Sequence, residues 1–286
     1  MKTRQIYHWN CRGRTIVLGE RTLVMGILNV TPDSFSDGGD FADLGKAVEH
    51  ALEMVEQGAD LIDIGGESTR PGAAAVAEAD EIRRTVPVIA KIREHSGIPI
   101  SIDTMKAGVA RRALEAGADI VNDVSAFEYD AGMAGVVAET GAGAVLMHKQ
   151  GMPQTMQDDP TYGNVVEEVR DYLRSRLDFA EQSGIARSHL VIDPGIGFGK
   201  TCAHNLDLLR GLPQLAACGC PVLVGASRKR FIGQITGREA PAERRAGSLG
   251  VAAWSVRQGA HILRVHDVIE TCDVCRITDT LCNGEL

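Results

Sequence analysis

The sequence predicts an α/β fold of the (β/α)8 TIM barrel type, with an N-terminal β-hairpin capping the N-terminal face. Three observations carry that expectation. Short apolar runs rich in Ile, Val and Leu recur eight times, at residues 23–28, 61–64, 98–102, 119–121, 144–147, 190–192, 221–224 and 261–265. Their unbroken apolar character suits strands buried on both faces, as in a parallel sheet. Between them lie segments with helical periodicity, over 43–57, 79–95, 105–116, 164–182 and 241–258. The first places apolar residues at 44, 47, 48, 51, 52 and 55, one face of a helix. Third, a weak internal repeat runs through the chain: QGADLIDIGG, AGADIVNDVS, TGAGAVLMHK and QGAHILRVHD each pass from a helix end through a glycine turn into a strand. Gly58, Gly117, Gly141 and Gly259 stand where a helix end calls for a residue with positive φ. A length of 286 residues accommodates one barrel of about 250 with a short extension. The expected organisation is a single domain over 1–286, with the hairpin in 1–22 and the barrel in 23–286.

The elements follow in order. The first 22 residues fall outside the repeat and read as two short strands, around 4–9 and 14–18, turning at Cys11–Arg14. Strand one of the barrel then exits at Asn29 into NVTPDSFSDGGD, a loop built from turn-forming residues. Strand two exits into GGESTRPG at 65–72. The later strands exit at Asp103, at Asn122-Asp123, at His148, at Asp193, at Ser227-Arg228-Lys229-Arg230 and at Arg264-Val265-His266-Asp267. In such barrels chemistry sits at the C-terminal ends of the strands. Polar and charged exits directly after apolar runs point to a site at that rim. Taken singly, each residue has a plainer reading. Asp103, Asp123, Asp193 and Asp267 could cap the next helix, Asp63 inside strand two could order the barrel interior, and His148 could be a satisfied polar residue at a loop start. Independent capping does not explain both signs of charge converging.

Composition narrows the partners. Hydrophobic residues make up 44% and charged residues 24%, an ordinary globular balance that excludes disorder, collagen and coiled coil. Lys plus Arg number 30 against 38 Asp plus Glu, so the net charge is −8 and no basic surplus exists to bind a nucleic acid backbone. Aromatics at 4% argue against a base-stacking platform. No run of about 18 apolar residues marks a membrane span, and the opening MKTRQIYHWNCRGR lacks the apolar core of a signal peptide. Seven cysteines without a dense framework suit a reduced cytosol, so a cytoplasmic protein is expected. Cys272 and Cys275 have C-x-x-C spacing, but no convincing fourth zinc ligand accompanies them, and they read as thiols on a C-terminal helix. GIGFGKT at 195–201 imitates a phosphate loop, yet the required leading glycine is Pro194 and the strand exits through Asp-Pro, so nucleotide hydrolysis is set aside.

Two chemical demands emerge. Asp103, Asn122 and Asp193 can accept N–H donors from a planar heterocycle, and the amide can also donate. Arg70, Lys229, Arg264 and His266 can bind an anionic group, arginine bidentately. A site with both would hold a heterocycle attached to a phosphate or diphosphate.

At this point the blocks MGILNVTPDSFSDGG at 25–39, GADLIDIGGESTRPG at 58–72, SIDT at 101–104, VNDVS at 121–125, MH…G-x-PQTMQ within 147–157, VIDPGIGFGKT at 191–201, GASRKRFIG at 225–233 and RVHDV at 264–268 come together. They resemble the signature blocks of the dihydropteroate synthase family, and the resemblance covers residues 22–270 or so. It implies a TIM barrel, a homodimer and a target of sulfonamides. It also implies the condensation of (7,8-dihydropterin-6-yl)methyl diphosphate with 4-aminobenzoate, giving 7,8-dihydropteroate and diphosphate in folate biosynthesis, with Mg²⁺. Position by position, Asp103, Asn122 and Asp193 match the pterin-edge contacts, Lys229 the lysine that reaches the pterin, and Met147 and Phe198 the residues flanking its ring. Asn29 matches the asparagine near Mg²⁺ and diphosphate, and Arg264, His266 and Arg70 match the anion site. Phe35, Thr69, Pro71 and Ser227 match the aminobenzoate side, and Asp33 shields the reacting carbon. The implied chemistry is ionisation of the C–O bond to diphosphate followed by attack of the neutral arylamine, which needs no strong general base.

Departures from the family pattern are modest: Met105 and Ala107 in the third block, Lys149-Gln150 in the fifth, and cysteines in the last helix. None falls on the residues just named. Three other readings have discriminators. A corrinoid-linked methyltransferase would share the pterin pocket but not the Ser-Arg-Lys block or the Ser-Thr-Arg-Pro loop. A non-catalytic pterin-binding paralogue would lack a loop residue, whereas Asp33, Thr69 and Arg70 are all present. Lys229 as a Schiff-base lysine would be trapped by borohydride with a carbonyl substrate. The loops at 29–40 and 65–74, Gly-rich and without apolar anchors, are expected to be poorly ordered without ligand.

Overall fold

A computed structural model describes residues 4–31, 39–68, 75–151, 156 and 158–284. Two antiparallel strands, β1 (Tyr7–Cys11) and β2 (Arg14–Leu18), precede β3 (Leu23–Asn29), β4 (Leu61–Gly65), β5 (Ile100–Asp103), β6 (Ile120–Asp123), β7 (Gly143–Met147), β8 (Leu190–Asp193), β9 (Leu223–Val224) and β10 (Ile262–Val265). The helices are α1 (Gly39–Glu56), α2 (Glu78–His95), α3 (Ala107–Glu115), α4 (Met133–Thr140), α5 (Val165–Gln182), α6 (Cys202–Arg210), α7 (Leu212–Ala216), α8 (Arg230–Thr236), α9 (Arg245–Arg257) and α10 (Val268–Asn283). Strands β3 to β10 pair in parallel in the order β8-β7-β6-β5-β4-β3-β10-β9. A single bridge, Ile192 to Val222, closes the remaining seam between β8 and β9. The eight apolar runs are thus the eight strands of a (β/α)8 barrel.

Strand alternation sorts the apolar residues into two layers. On β3, Val24 and Leu28 join the shell between strands and helices, while Leu23 and Met25 point into the lumen. Each of the four repeat glycines adopts positive φ, 99° at Gly58, 115° at Gly117, 63° at Gly141 and 94° at Gly259. A residue with a side chain would be strained there, so the repeat read from sequence is a backbone requirement.

In the hairpin, the turn and the second strand fall where the sequence places them, and only the first strand lies two to three residues further along. Its first strand is Tyr7–Cys11 rather than 4–9, because Cys11 pairs with Arg14 across a two-residue turn. Arg12 and Gly13 both have positive φ, 49° and 81°, the geometry that matches the twist of a tight hairpin. The hairpin plugs the N-terminal end of the barrel. Trp9, Cys11 and Leu18 pack with Met25, Leu61, Ile120, Val145, Val191, Leu223 and Ile262 from the lumen. Trp9 Nε1 donates to the His189 carbonyl at 2.9 Å. Gly143 makes room for this plug, since a Cβ there would lie 2.5 Å from Cys11 Sγ and 3.0 Å from Trp9 Nε1. Arg14 and Arg93 both pair with Asp119 at the same end, at 3.1 and 2.8 Å. Cys272 and Cys275 are buried on α10, as expected of thiols on the last helix. No helix among the described residues is long and apolar enough to cross a membrane.

Trp9 is 1% exposed, so Trp9→Ala should cost about 3–5 kcal/mol of stability through the cavity it leaves. Urea unfolding should show a lowered midpoint. The Michaelis constants of the folded fraction should be unchanged, because this plug sits at the end of the barrel opposite the strand C-termini.

Candidate active site

The C-terminal strand ends converge on a hub of buried charge. Asp63, two residues before the end of β4 and fully buried, accepts from Arg264 Nε at 2.5 Å and from Asn122 Nδ2 at 3.1 Å through one oxygen. Arg264, on β10, also donates through Nη2 to Asp103 Oδ2 at the end of β5, at 2.8 Å. Four strands are thereby locked in register by one guanidinium and its partners. Burial alone would weaken the Arg264 cation, but Asp63 and Asp103 outweigh it and hold the proton more firmly than usual. Burial pushes Asp103 up to about 7, against the pull of Arg264 and with the repulsion of Asp63 added. Asp103 Oδ1 is buried without a hydrogen-bond partner among the described residues. An orphaned acceptor costs on the order of 1–3 kcal/mol, so this atom is set for a donor that the described residues do not supply.

Two glycines adjoin these side chains. A Cβ on Gly65 would lie 3.7 Å from Asp103 Oδ2 and 3.9 Å from Asn29 Oδ1, so both oxygens face the same strand end. A Cβ on Gly225 would lie 3.8 Å from Arg264 Cδ and 3.8 Å from Asp193 Oδ2. Asp193, at the end of β8, is buried, which raises its pKa against the opposing pull of Lys229. Its Oδ1 accepts from Gly195 N at 2.7 Å. Lys229, at the start of α8, donates to the Ile196 carbonyl, and its Nζ lies 4.3 Å from the centre of the Phe198 ring. Burial lowers the Lys229 pKa to about 7, with Asp193 opposing and Arg264 adding to the fall. Phe198 packs on Met105, Val124 and Met147, so an apolar face stands beside the polar edge.

Asp193, Lys229 and Arg264 therefore meet at one mouth, and Ser227 and His266 adjoin it. Ser227 Oγ is 3.0 Å from His266 Nδ1 and accepts from His266 N at 3.3 Å, which fixes the imidazole. The plainer reading holds for His148, whereas Asp123 does not cap the next helix, whose N-cap is Gly132. Asp123 accepts from Ser125 N at 2.7 Å and Phe127 N at 2.9 Å, tying a turn in which Ala126 and Phe127 have φ of 50° and 67°. His148 turns away from the mouth, with Nδ1 2.9 Å from Lys200 Nζ, and burial beside that lysine lowers its pKa to about 3. Asp267 makes no side-chain cap on α10 and is instead held by Arg228 at 2.5 and 3.1 Å. Its helix position had suggested a cap, but two nearby arginines, Arg228 and Arg245, compete for the carboxylate.

Sequence reading passed over one cluster. Lys106, ahead of α3, bridges Glu67 and Glu81 at 2.5 Å each, and Glu67 accepts from Val76 N at 3.1 Å. Nothing in the local sequence pairs these three, which lie on separate elements. Asp33, Phe35, Thr69, Arg70 and Pro71 fall outside the described residues, as does most of the two loops whose order the sequence addressed.

Among the described residues, no group of three His, Cys, Asp or Glu side chains could hold a metal ion. Asn29 offers a single amide oxygen. A hard cation such as Mg²⁺ fits here only if diphosphate oxygens and waters fill most of its coordination.

Residues 25–266 match the profile of the pterin-binding enzyme family, and the chain belongs to that family. A relative from Synechocystis sp., 48% identical over 263 residues covering 92% of this chain and 91% of the relative, is a dihydropteroate synthase. The Xanthomonas albilineans dihydropteroate synthase with 4-aminobenzoic acid superimposes with a TM-score of 0.90 at 46% identity, covering 97% of this chain and 98% of that one. A second structure of the enzyme from that organism, in complex with 7,8-dihydropteroate, gives 0.85 at 44% identity over 95% and 97% of the two chains. Within the pterin-binding enzymes, the chain belongs with the dihydropteroate synthases.

Two outcomes test this geometry. Removing Arg264 as Arg264→Met leaves Asp63 and Asp103 buried without their counter-charge, and breaking a buried pair costs about 3–5 kcal/mol. Chemical denaturation should register a loss of that size. For Lys229, burial makes the folded chain release a proton at about pH 7, whereas an unfolded lysine holds it to about 10.4. The unfolded chain binds more protons in between, so this group's cost to stability is full below pH 7 and is relieved as pH rises from 7 towards 10 or so. NMR of ¹³C-methylated lysines should show Lys229 titrating near neutrality, well below the surface lysines.

Proposed function

We propose that this chain condenses (7,8-dihydropterin-6-yl)methyl diphosphate with 4-aminobenzoate, releasing diphosphate and forming 7,8-dihydropteroate. The observation that carries this reading is the pairing of buried acceptors with buried cations at one mouth. Asp103 Oδ1 lacks a partner among the described residues, and Asp193 lies beside Lys229 and Arg264. A pterin edge presents adjacent N–H groups, which these carboxylates and Asn122 would accept. Lys229 would donate to the ring, with Phe198 and Met147 against its faces.

Arg264 and His266, with Arg70, would take the diphosphate. Ser227, with Phe35, Thr69 and Pro71, would hold the aminobenzoate, and Asp33 would shield the reacting carbon. Cationic groups lower the barrier by stabilising the charge that develops on the departing diphosphate. The electron-rich dihydropterin bears the complementary positive charge, and the arylamine attacks without a dedicated base. Asn29 would contribute to Mg²⁺ carried by the diphosphate, an ion that supplies further charge stabilisation when bound.

The assembly we infer is a homodimer of single-domain chains in the cytoplasm. An apolar groove of about 380 Å³ between α6, α8 and α9, with Ile235 and Trp254 58% and 42% exposed, supports docking of a second copy. Seven unpaired thiols support a reducing compartment.

The test is direct. Purified protein supplied with both substrates and Mg²⁺ should form dihydropteroate, and absence of product would remove the proposal. Asp193→Ala should lose pterin binding by calorimetry, because the ring's donors lose their acceptor; tight binding by this variant would overturn its assignment.

A further inference from the structure

Lys200 is 3% exposed and has no part in the chemistry proposed above. Its burial needs an explanation, since a lysine is among the costliest side chains to bury. Its Nζ lies 2.9 Å from His148 Nδ1, 2.9 Å from the Phe198 carbonyl and 3.4 Å from the His148 carbonyl. These partners belong to two different strand exits, His148 following β7 and Phe198 following β8. The two exits already lie in close contact. A Cβ on Gly195 would meet the His148 carbonyl at 1.8 Å, and one on Gly199 would meet the Gln150 carbonyl at 2.3 Å. Gly195, Gly197 and Gly199 all have positive φ, 65°, 83° and 62°. The loop is therefore a coiled stretch that needs an anchor to hold one shape. On its other side Phe198 faces Lys229 and the Met105, Val124 and Met147 patch, and Gly195 N supports Asp193.

We propose that Lys200 is a positioning residue: from beneath the site it ties the Phe198 main chain to His148, and so sets where the Phe198 ring and the Asp193 carboxylate present themselves to a bound pterin. This rests on the pterin reading of the site. The glycines and lysine that imitate a phosphate loop serve a different end here. The glycines allow the close approach, and the lysine points inward to fasten it.

The experiment compares Lys200→Met with the parent enzyme. Displacement of Phe198 predicts that kcat/KM for the pterin diphosphate falls by about ten- to a hundredfold. The KM for 4-aminobenzoate, whose contacts lie on other loops, should hold within about twofold. Lys200→Gln, which keeps two N–H donors, should recover part of the loss and stands in if Lys200→Met does not fold. In a Phe198→Ala background the Lys200 substitution should cost far less, because the element it positions is gone. A ¹⁹F label on phenylalanine reads the tie without any substrate, through a shifted or broadened Phe198 resonance in the variant. If Lys200→Met lowers only the denaturation midpoint, leaving pterin kinetics and the Phe198 resonance unmoved, the inference is overturned. A parent enzyme that binds no pterin would instead overturn the functional reading, while the ¹⁹F comparison would still decide whether Lys200 fixes the loop.

Discussion

One guanidinium organises the mouth of this barrel. Arg264 stands between Asp63 and Asp103, and through Asp63 it reaches Asn122. Desolvating three charges is costly, and a pair of carboxylates this close would repel strongly without the cation between them. Each carboxylate gives one oxygen to the guanidinium between them, at 2.5 and 2.8 Å. Asp103 consequently has one oxygen committed to Arg264 and one without a partner among the described residues. That spare acceptor is a product of the ion pair, since the arginine fixes which way the carboxylate faces.

Under the proposed reading, the same arginine would carry two duties that the sequence could not separate. Read as a string, Arg264 belonged to a cluster of cations awaiting an anion. In the folded chain its Nε and Nη2 are already engaged with carboxylates, so whatever it gives a diphosphate comes from the rest of the group. Precise placement of a charge by other charges is a common way to prepare a site before the ligand arrives.

Much of the architecture was legible because it follows from periodicity and backbone constraint. The apolar runs had to be strands buried on both faces, and the glycines after each helix had to sit at positive φ. The rim residues were legible as a set, since polar groups immediately after apolar runs mark strand exits. Legibility stopped where partners come from distant parts of the chain. Lys106 with Glu67 and Glu81, Lys200 with His148, and Asp267 with Arg228 are pairings that no local pattern encodes. The hairpin turn was legible at Cys11–Arg14, and only the extent of its first strand, Tyr7–Cys11, differed.

The hairpin with Trp9 at its centre fills one end of the barrel, and the ion-pair hub occupies the other. Folding strength and chemistry are thereby assigned to separate poles of a single cylinder. A lineage altering the residues that greet its substrates can recover lost robustness at the far pole without disturbing what it has changed. Tolerance of innovation is in this sense built into the length of the strands.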